Sequence, residues 1–557
     1  MNLTIFIASY FFIILSVIGY GLFFFSSTKN QLNVEFEFSL LAGLFFLILL
    51  SFLTHFFTPH GFYHNLVIAF FGIIFFFFFS LKEKKIIRNY YFYLLLIFGI
   101  LFIGFLTIKP HDDFPYYHFP YTYYLTQNHM IIGTGSINHG FRTPSSIFYL
   151  NSLFYLPIIK YFSFNIGAVL IFGISNLILI LKLKNDHKNQ RYDFISILTI
   201  LSLLFINIFF YRISEHGTDR SAQILILVLF IEILSLYRNS VNFKNFFSKI
   251  FILLGLIITL KAFYVLYLLI LIPIFVGIRK EKISQILKSF FSNIYFYIFI
   301  LIGFSLIAIN IFNSGCVLYP VSLTCFNNLE WSLLHEAEFM NNWYELWSKA
   351  GASPNYRVDN PEIYIKGFNW LPNWTNLYFF NKVSDFILGL IFLLLIVFLI
   401  FYTKNKKKIS FNKKEILWTY SIILILFFEW FYNHPSLRYG GYSLIALILF
   451  IPFSIYLSKF KLDHRFQKKM VFLIILSMVI FMGRNLNRIG NEVEKYDYDF
   501  LSKPFYILNE NNFRVDNLFN KFIQKYENCN DKNNCFGDEG ILINKKNNYY
   551  YLVKTND

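Results

Sequence analysis

Apolar residues recur along this chain in blocks of roughly 15–25, the length an α-helix needs to cross a hydrocarbon layer of about 30 Å. Short polar stretches separate the blocks. Inside a bilayer each block must satisfy its own backbone hydrogen bonds, so the blocks are helices. The pattern predicts spans at 3–25, 38–57, 65–81, 90–108, 163–181, 192–211, 222–237, 250–261, 263–277, 292–312, 384–402, 416–432, 441–458 and 470–483. That is an all-α polytopic membrane protein of about fourteen spans. Residues 145–160 (SSIFYLNSLFYLPIIK) are left out of this count. As a span they would reverse the sidedness of the loops that follow, so they are expected as an amphipathic helix lying in the interface.

Composition agrees with this pattern: 56% of the 557 residues are hydrophobic, 22% are aromatic, and the mean hydropathy is +0.52. A soluble core does not need so much apolar sequence. The five phenylalanines Phe75–Phe79 are expected to face lipid. The first span lacks a small-residue cleavage site after its apolar run and is expected to stay as an anchor.

The net charge of +17 would suit nucleic acid, but its placement argues for topology instead. Lysine and arginine concentrate in short connectors at 82–89, 182–191, 238–249, 279–288, 404–415 and 459–469. Such loops stay on the cytoplasmic side. Both termini and segments 109–162, 212–221, 313–383, 433–440 and 484–557 then face outside, and no nucleic-acid partner is expected. All four cysteines lie in these outer segments: Cys316 with Cys325, and Cys529 with Cys535. Local disulfides in an oxidising compartment suit that placement, with four free thiols as the alternative. No His/Cys spacing suggests zinc.

Four outer features could carry chemistry. The first is HDDFPYYHF (111–119), with prolines at 110, 115 and 120 that make it a turn followed by short helical pieces. Asp112 or Asp113 could act as a base at the membrane surface, or the pair could simply cap the next helix. His111 and His118 could ligate a metal or simply be solvated, and His118 is also a supporting candidate. The second is RISEHGTDRS (212–221), unusually rich in ionisable groups for a ten-residue connector. Arg220 suits a phosphate, Asp219 or Glu215 a sugar hydroxyl or metal, and His216 a supporting role. The alternative there is an interfacial salt-bridge cluster. The third is Lys261, isolated between apolar residues, where two short spans require a turn; it could meet a lipid phosphate or snorkel to headgroups. The fourth is WFYNHPSLRYGGYS (430–443), with His434, Arg438 and Tyr439 beside two glycines that permit close backbone approach. Arg142 in GFRTP is a further phosphate candidate. Trp331, Trp343, Trp347, Trp370 and Trp374 in 313–383 are expected chiefly as an interfacial belt.

This arrangement resembles the GT-C superfamily of polytopic membrane glycosyltransferases. In both, an acidic pair and juxtamembrane helices sit in the first large outer loop, and spans with short outer loops follow. Oligosaccharyltransferases, protein O-mannosyltransferases and aminoarabinose transferases belong to that superfamily. The resemblance implies a polyprenyl-phosphate-linked sugar donor and a glycan, lipid or protein acceptor. It further implies inversion, with Asp112 or Asp113 as general base, and admits a divalent Mg or Mn ion as cofactor. Asp219 or Glu215 would be the second acid, and Lys261 and Arg438 would bind the donor phosphate. The expected setting is a bacterial inner membrane with the site facing the periplasm. Three extra spans precede the acidic loop, a departure from the usual order. Residues 1–89 are accordingly expected as added helices, 90–483 as the catalytic core and 484–557 as an outer tail or small domain. A transporter or flippase of a lipid-linked or anionic substrate would also explain the basic outer residues, but it predicts inverted repeats. A polysaccharide polymerase or ligase would rely on outer arginines and not need the acids.

Overall fold

The computed structural model describes residues 1–236, 242–277, 283–353, 357–405, 413–460, 466–506, 518–532, 535–537 and 540–554. Parts of four basic connectors, at 238–241, 279–282, 406–412 and 461–465, lie outside the described residues.

The chain is a bundle of helices. The first group is α1 (Leu3–Leu32), α2 (Phe36–His55), α3 (Phe62–Lys82) and α4 (Lys84–Phe105), then short α5 (Phe119–Gln127) and α6 (Ser146–Ser152). Next come α7 (Ile166–Lys188), α8 (Phe194–Phe209), α9 (Asp219–Ser235), α10 (Phe243–Leu260), α11 (Leu271–Gly277), α12 (Ile283–Phe291) and α13 (Ile294–Ser314). The polar insertion holds α14 (Leu334–Lys349), α15 (Pro361–Ile365) and α16 (Leu371–Trp374). The last group is α17 (Ser384–Phe401), α18 (Lys413–Asn433), α19 (Gly441–Leu457), α20 (Phe466–Tyr496) and α21 (Leu518–Glu527). Ten helical stretches among the described residues are long and apolar enough to cross a membrane, which makes this a multi-pass membrane protein. Helices also stand at the other four predicted places: α8, α9, α19 and the run 262–277, each shorter than 18 residues.

Local chemistry sets the helix ends. Asn2, Asp193, Asn242 and Asn293 each accept a hydrogen bond from a first-turn N–H, and Asn33 and Gly315 end α1 and α13 in the left-handed conformation. Small residues set how closely helices approach. A Cβ on Gly19 of α1 would lie 1.8 Å from the Gly72 carbonyl oxygen of α3. Residues 1–89 do not stand apart, because α2 packs against α6, α7, α10 and α13.

Two expectations need correction. Residues 145–160 do not form an interfacial helix: α6 is seven residues long and buried throughout. The polar groups that suggested water contact are used inside the protein. Ser145 Oγ donates to the Leu260 carbonyl at 2.6 Å, Asn151 Oδ1 accepts from the Gly167 N–H at 2.8 Å, and Ser152 Oγ lies 2.7 Å from His60 Nδ1. The second correction concerns the disulfides. Cys316 and Cys325 are bonded, but Cys529 and Cys535 are free thiols. The two thiols still interact with each other, while the Cys535 carbonyl accepts from the Ile543 N–H at 2.8 Å and its Sγ contacts the Lys525 carbonyl at 3.6 Å.

The C-terminal segment returns to the first polar loop. Strands β1 (Ile541–Lys546) and β2 (Tyr549–Lys554) form an antiparallel hairpin, pairing Ile541 with Lys554 and Lys546 with Tyr549. Ile132 bonds to the outside of that hairpin, through Tyr550 O and the Leu552 N–H, each at 2.9 Å.

Candidate functional site

One end of the bundle opens into a cavity of about 1810 Å³. Its walls come from the first loop, the 212–220 connector, the break after α10, α14, and the turn between α18 and α19. The first loop and the turn between α18 and α19 are each fixed by buried hydrogen bonds.

The first loop starts where α20 grips it. Arg488 Nη2 donates to the Leu106 carbonyl at 2.5 Å, and Glu492 Oε2 accepts from the Ile108 N–H at 3.1 Å. Prolines 110 and 115 exclude a regular helix here, and Phe114–His118 forms one π-helical turn. The Asp113 N–H donates to His111 Nδ1 at 3.0 Å. Behind this turn His118 packs on Gly217, whose φ of +48° lies in the left-handed region; a Cβ there would sit 3.0 Å from the imidazole.

The turn carrying Arg438 is held from four sides. Trp430 Nε1 donates to the Ser436 carbonyl and Trp374 Nε1 to the Pro435 carbonyl, both at 2.9 Å. The Leu437 N–H donates to the Tyr378 hydroxyl at 2.9 Å, and Gln223 of α9 donates to the Arg438 carbonyl at 3.1 Å. Gly440 takes φ +111°, and a Cβ on Gly441 would lie 2.3 Å from the Trp430 ring, so both glycines serve close approach.

Four charged side chains meet on this frame in alternating order. Arg438 Nη2 donates to Asp113 Oδ2 at 2.6 Å, Arg438 Nε donates to Asp219 Oδ2 at 3.2 Å, and the Lys261 ammonium donates to Asp219 Oδ1. Lys261 also lies 4.3 Å from the centre of the Tyr439 ring, and the Arg438 guanidinium 5.6 Å from that of Trp347. Burial pushes the Asp113 carboxyl up, yet Arg438, with His111 and His118, outweighs it and holds the group well below the usual carboxylate range. Asp219 is likewise raised by burial and drawn below its ordinary value by Lys261 and Arg438. Burial lowers the Lys261 ammonium against the pull of Asp219. Both acids are therefore ionised, and the two cations neutralise them.

The remaining candidates are placed differently. Asp112 is 84% exposed at the cavity rim and pairs with Lys109 at 3.3 Å. Glu215 and Arg220 also line the cavity and pair with each other at 3.1 Å, while Arg212 holds the other Glu215 oxygen at 2.6 Å. Arg142 is not brought to the cavity: it is buried against the Gly135 carbonyl, the Tyr319 hydroxyl and Glu336, at 2.9, 3.1 and 3.2 Å. His216 turns away, its Nε2 lying 2.6 Å from the Phe210 carbonyl. Burial keeps its pKa at about 3, and that of His118 also at about 3. His434 lines the cavity and is held at about 4 by burial, then by Lys349 and Lys261.

The tryptophans form no belt. Trp343 and Trp347 line the cavity, Trp370 and Trp374 are buried, Trp374 beneath the Arg438 turn, and Trp331 lies against Tyr551. Tyr344 and Glu429 also line the cavity and were not singled out in the sequence. A lone glutamate inside an apolar span was the available signal for Glu429. A divalent metal does not fit this donor set: Arg438 and Lys261 already occupy Asp113 and Asp219, and no metal-holding group of three His, Cys, Asp or Glu exists among the described residues.

The fold and cavity thus define a multi-pass helical membrane protein with a charged site at one end of its bundle. The chain belongs to the family described as Domain of unknown function (DUF8201), whose model matches residues 1–445. That match runs across the boundary at residue 89 and includes all four members of the charged network. No curated protein and no solved structure matches the chain.

Proposed function

We propose that this protein is a membrane glycosyltransferase of the GT-C kind, with about fourteen spans, its cavity on the outer face of a bacterial inner membrane, and a polyprenyl-phosphate sugar as donor. The observation that carries the reading is the chain Asp113–Arg438–Asp219–Lys261 lining a cavity large enough for a sugar and a lipid headgroup. Arg438 presents a planar fork suited to phosphate oxygens, and Lys261 adds a point charge beside it.

Asp113 is the base and Asp112 is not, because only Asp113 belongs to the network. While Arg438 holds it, Asp113 is a weak base. A donor phosphate competes for Arg438 and Lys261, and the loosened hold of Arg438 on Asp113 raises its basicity. The acceptor hydroxyl then gives its proton to Asp113 while its oxygen attacks the anomeric carbon. The bond from that carbon to the phosphate oxygen breaks, and the lipid phosphate leaves as an anion held by Arg438 and Lys261. Attack from the side opposite the leaving phosphate inverts the anomeric centre. Trp343, Tyr344 and Trp347 offer faces for sugar stacking.

The test is transfer from a panel of radiolabelled polyprenyl-phosphate sugars by purified full-length protein. Sugar release that needs Asp113 and survives Asp112→Asn is the expected result. A donor that binds and is never consumed, whatever the acceptor, would replace this reading with a transporter.

A further inference from the structure

Six carboxylates line the cavity, and five of them have a basic partner. Asp112 pairs with Lys109, Asp113 and Asp219 with Arg438, Glu215 with Arg212 and Arg220, and Glu345 with Lys349. The sixth, Glu429, pairs with no Lys, Arg or His among the described residues. Its Oε1 accepts from Asn433 Nδ2 at 3.1 Å, and its Oε2 is buried with no hydrogen-bond partner. Glu429 stands on α18 one helical turn before Asn433, inside a stretch apolar enough to cross a membrane. An ionisable group in such a position calls for a partner. A second unsatisfied atom lies on the same cavity lining: His434, directly after α18, has its Nδ1 buried without a partner.

With the imidazole proton on Nε2, these two orphan atoms share one chemistry: the Glu429 carboxylate oxygen and His434 Nδ1 both accept hydrogen bonds. An ammonium group brings three N–H donors and a positive charge, with no lone pair to leave unmatched. A phosphate would be repelled by Glu429, and a plain hydroxyl would leave its charge uncompensated.

We propose that Glu429, with His434 and Asn433, forms a subsite for an ammonium group carried by the substrate, so that the sugar or the acceptor handled in this cavity is an amine. This deepens the glycosyltransferase reading and rests on it for the division into donor and acceptor. Arg438 and Lys261 would hold the anionic part of the reacting pair and Glu429 its cationic part.

The experiment compares amine with alcohol in two arms, using full-length protein in nanodiscs and intrinsic tryptophan fluorescence. The donor arm titrates decaprenyl phosphate glucosamine against decaprenyl phosphate glucose. The acceptor arm titrates octyl 2-amino-glucoside against octyl glucoside. Wild type is expected to bind the amine at least tenfold tighter in one arm, and that arm tells which substrate bears the ammonium. Glu429→Gln is expected to bring the ratio of Kd values to near one. Should that variant not fold, Glu429→Asp, which withdraws the charge by one methylene, should lower the ratio severalfold. Equal affinity for amine and alcohol in both arms of wild type overturns the proposal, as does a preference unchanged by these substitutions. If neither decaprenyl compound binds but the octyl arm keeps its amine preference, the glycosyltransferase reading fails and the ammonium subsite stands.

Discussion

Two buried charge networks sit in this bundle, built from the same parts. In one, Lys182 and Lys249 share Glu232 at 2.6 and 3.1 Å, and Lys249 reaches Glu35 at 2.7 Å. In the other, Arg438 joins Asp113 to Asp219, and Lys261 closes on Asp219. Both alternate in sign, as buried charges must. They differ in what surrounds them. Glu232 is only 4% exposed, and none of the first network's members lines the cavity; all four of the second do. A network without access can hold helices together and nothing more. One that borders a cavity of about 1810 Å³ can exchange its partners for a ligand's charges. Burial and ion pairing alone therefore do not mark a site; the adjoining space does.

Substitutions at matched positions sharpen this contrast. The largest effect is expected for Asp113→Asn: transfer falls by about 10²–10⁴-fold, the usual range for loss of a general base, while the protein still elutes as a folded species on gel filtration. Glu232→Gln should do the reverse. Two lysines lose their shared acid, stability falls by about 3–5 kcal/mol, and turnover per folded molecule stays at the wild-type value. Thermal unfolding followed by tryptophan fluorescence, with activity per folded molecule, separates the two.

Acid should act next in size. His118, His216 and His434 are neutral in the folded protein, with pKa values of about 3, 3 and 4, below the usual value near 6.5. The unfolded chain thus binds protons that the folded one does not as pH falls below about 6.5, and stability drops by roughly 1 kcal/mol per histidine at pH 5.5. Asp113 has the opposite sign. Its folded pKa is depressed, so its contribution is complete above the unfolded carboxylate value near 4 and is lost only as pH falls further, through the folded value. Melting temperature should therefore decline between pH 7 and 5 while the Asp113–Arg438 pair stays ionised. The smallest effect is expected for Asp112→Asn. Its exposed pair with Lys109 contributes at most about 0.5 kcal/mol, and transfer should change less than threefold.

Much of the bundle was legible because hydropathy blocks and basic connectors are local signals. A helix stands at each of the fourteen predicted places, although four fall short of the length that composition alone would accept as a span. The members of the charged network were legible one by one, since Lys261 stands alone among apolar residues and Asp113, Asp219 and Arg438 stand in short polar connectors between apolar blocks. Their meeting was not legible. Arg438 is 325 residues from Asp113 and 219 from Asp219, and no local pattern encodes such contacts. The same limit explains Arg142, which looked like a phosphate ligand and is used up by Glu336 and Tyr319. It explains the tryptophans too: sequence cannot tell an interfacial ring from one that walls a cavity. Residues 145–152 misled because their serines and asparagine bond inward, to His60 in the connector between α2 and α3, to α7 and to α10.

The most direct test of the account is a binding measurement, because Trp343 and Trp347 line the cavity and can report on it. Full-length protein would be titrated with decaprenyl phosphate and with decaprenol, the same lipid without the anion, in wild type and in the Arg438→Gln/Lys261→Met double variant. The account predicts a saturable fluorescence change for the phosphate in wild type, none for the alcohol, and at least a hundredfold weaker binding of the phosphate in the variant. An equal response to the alcohol, or phosphate binding untouched by the two substitutions, would contradict it.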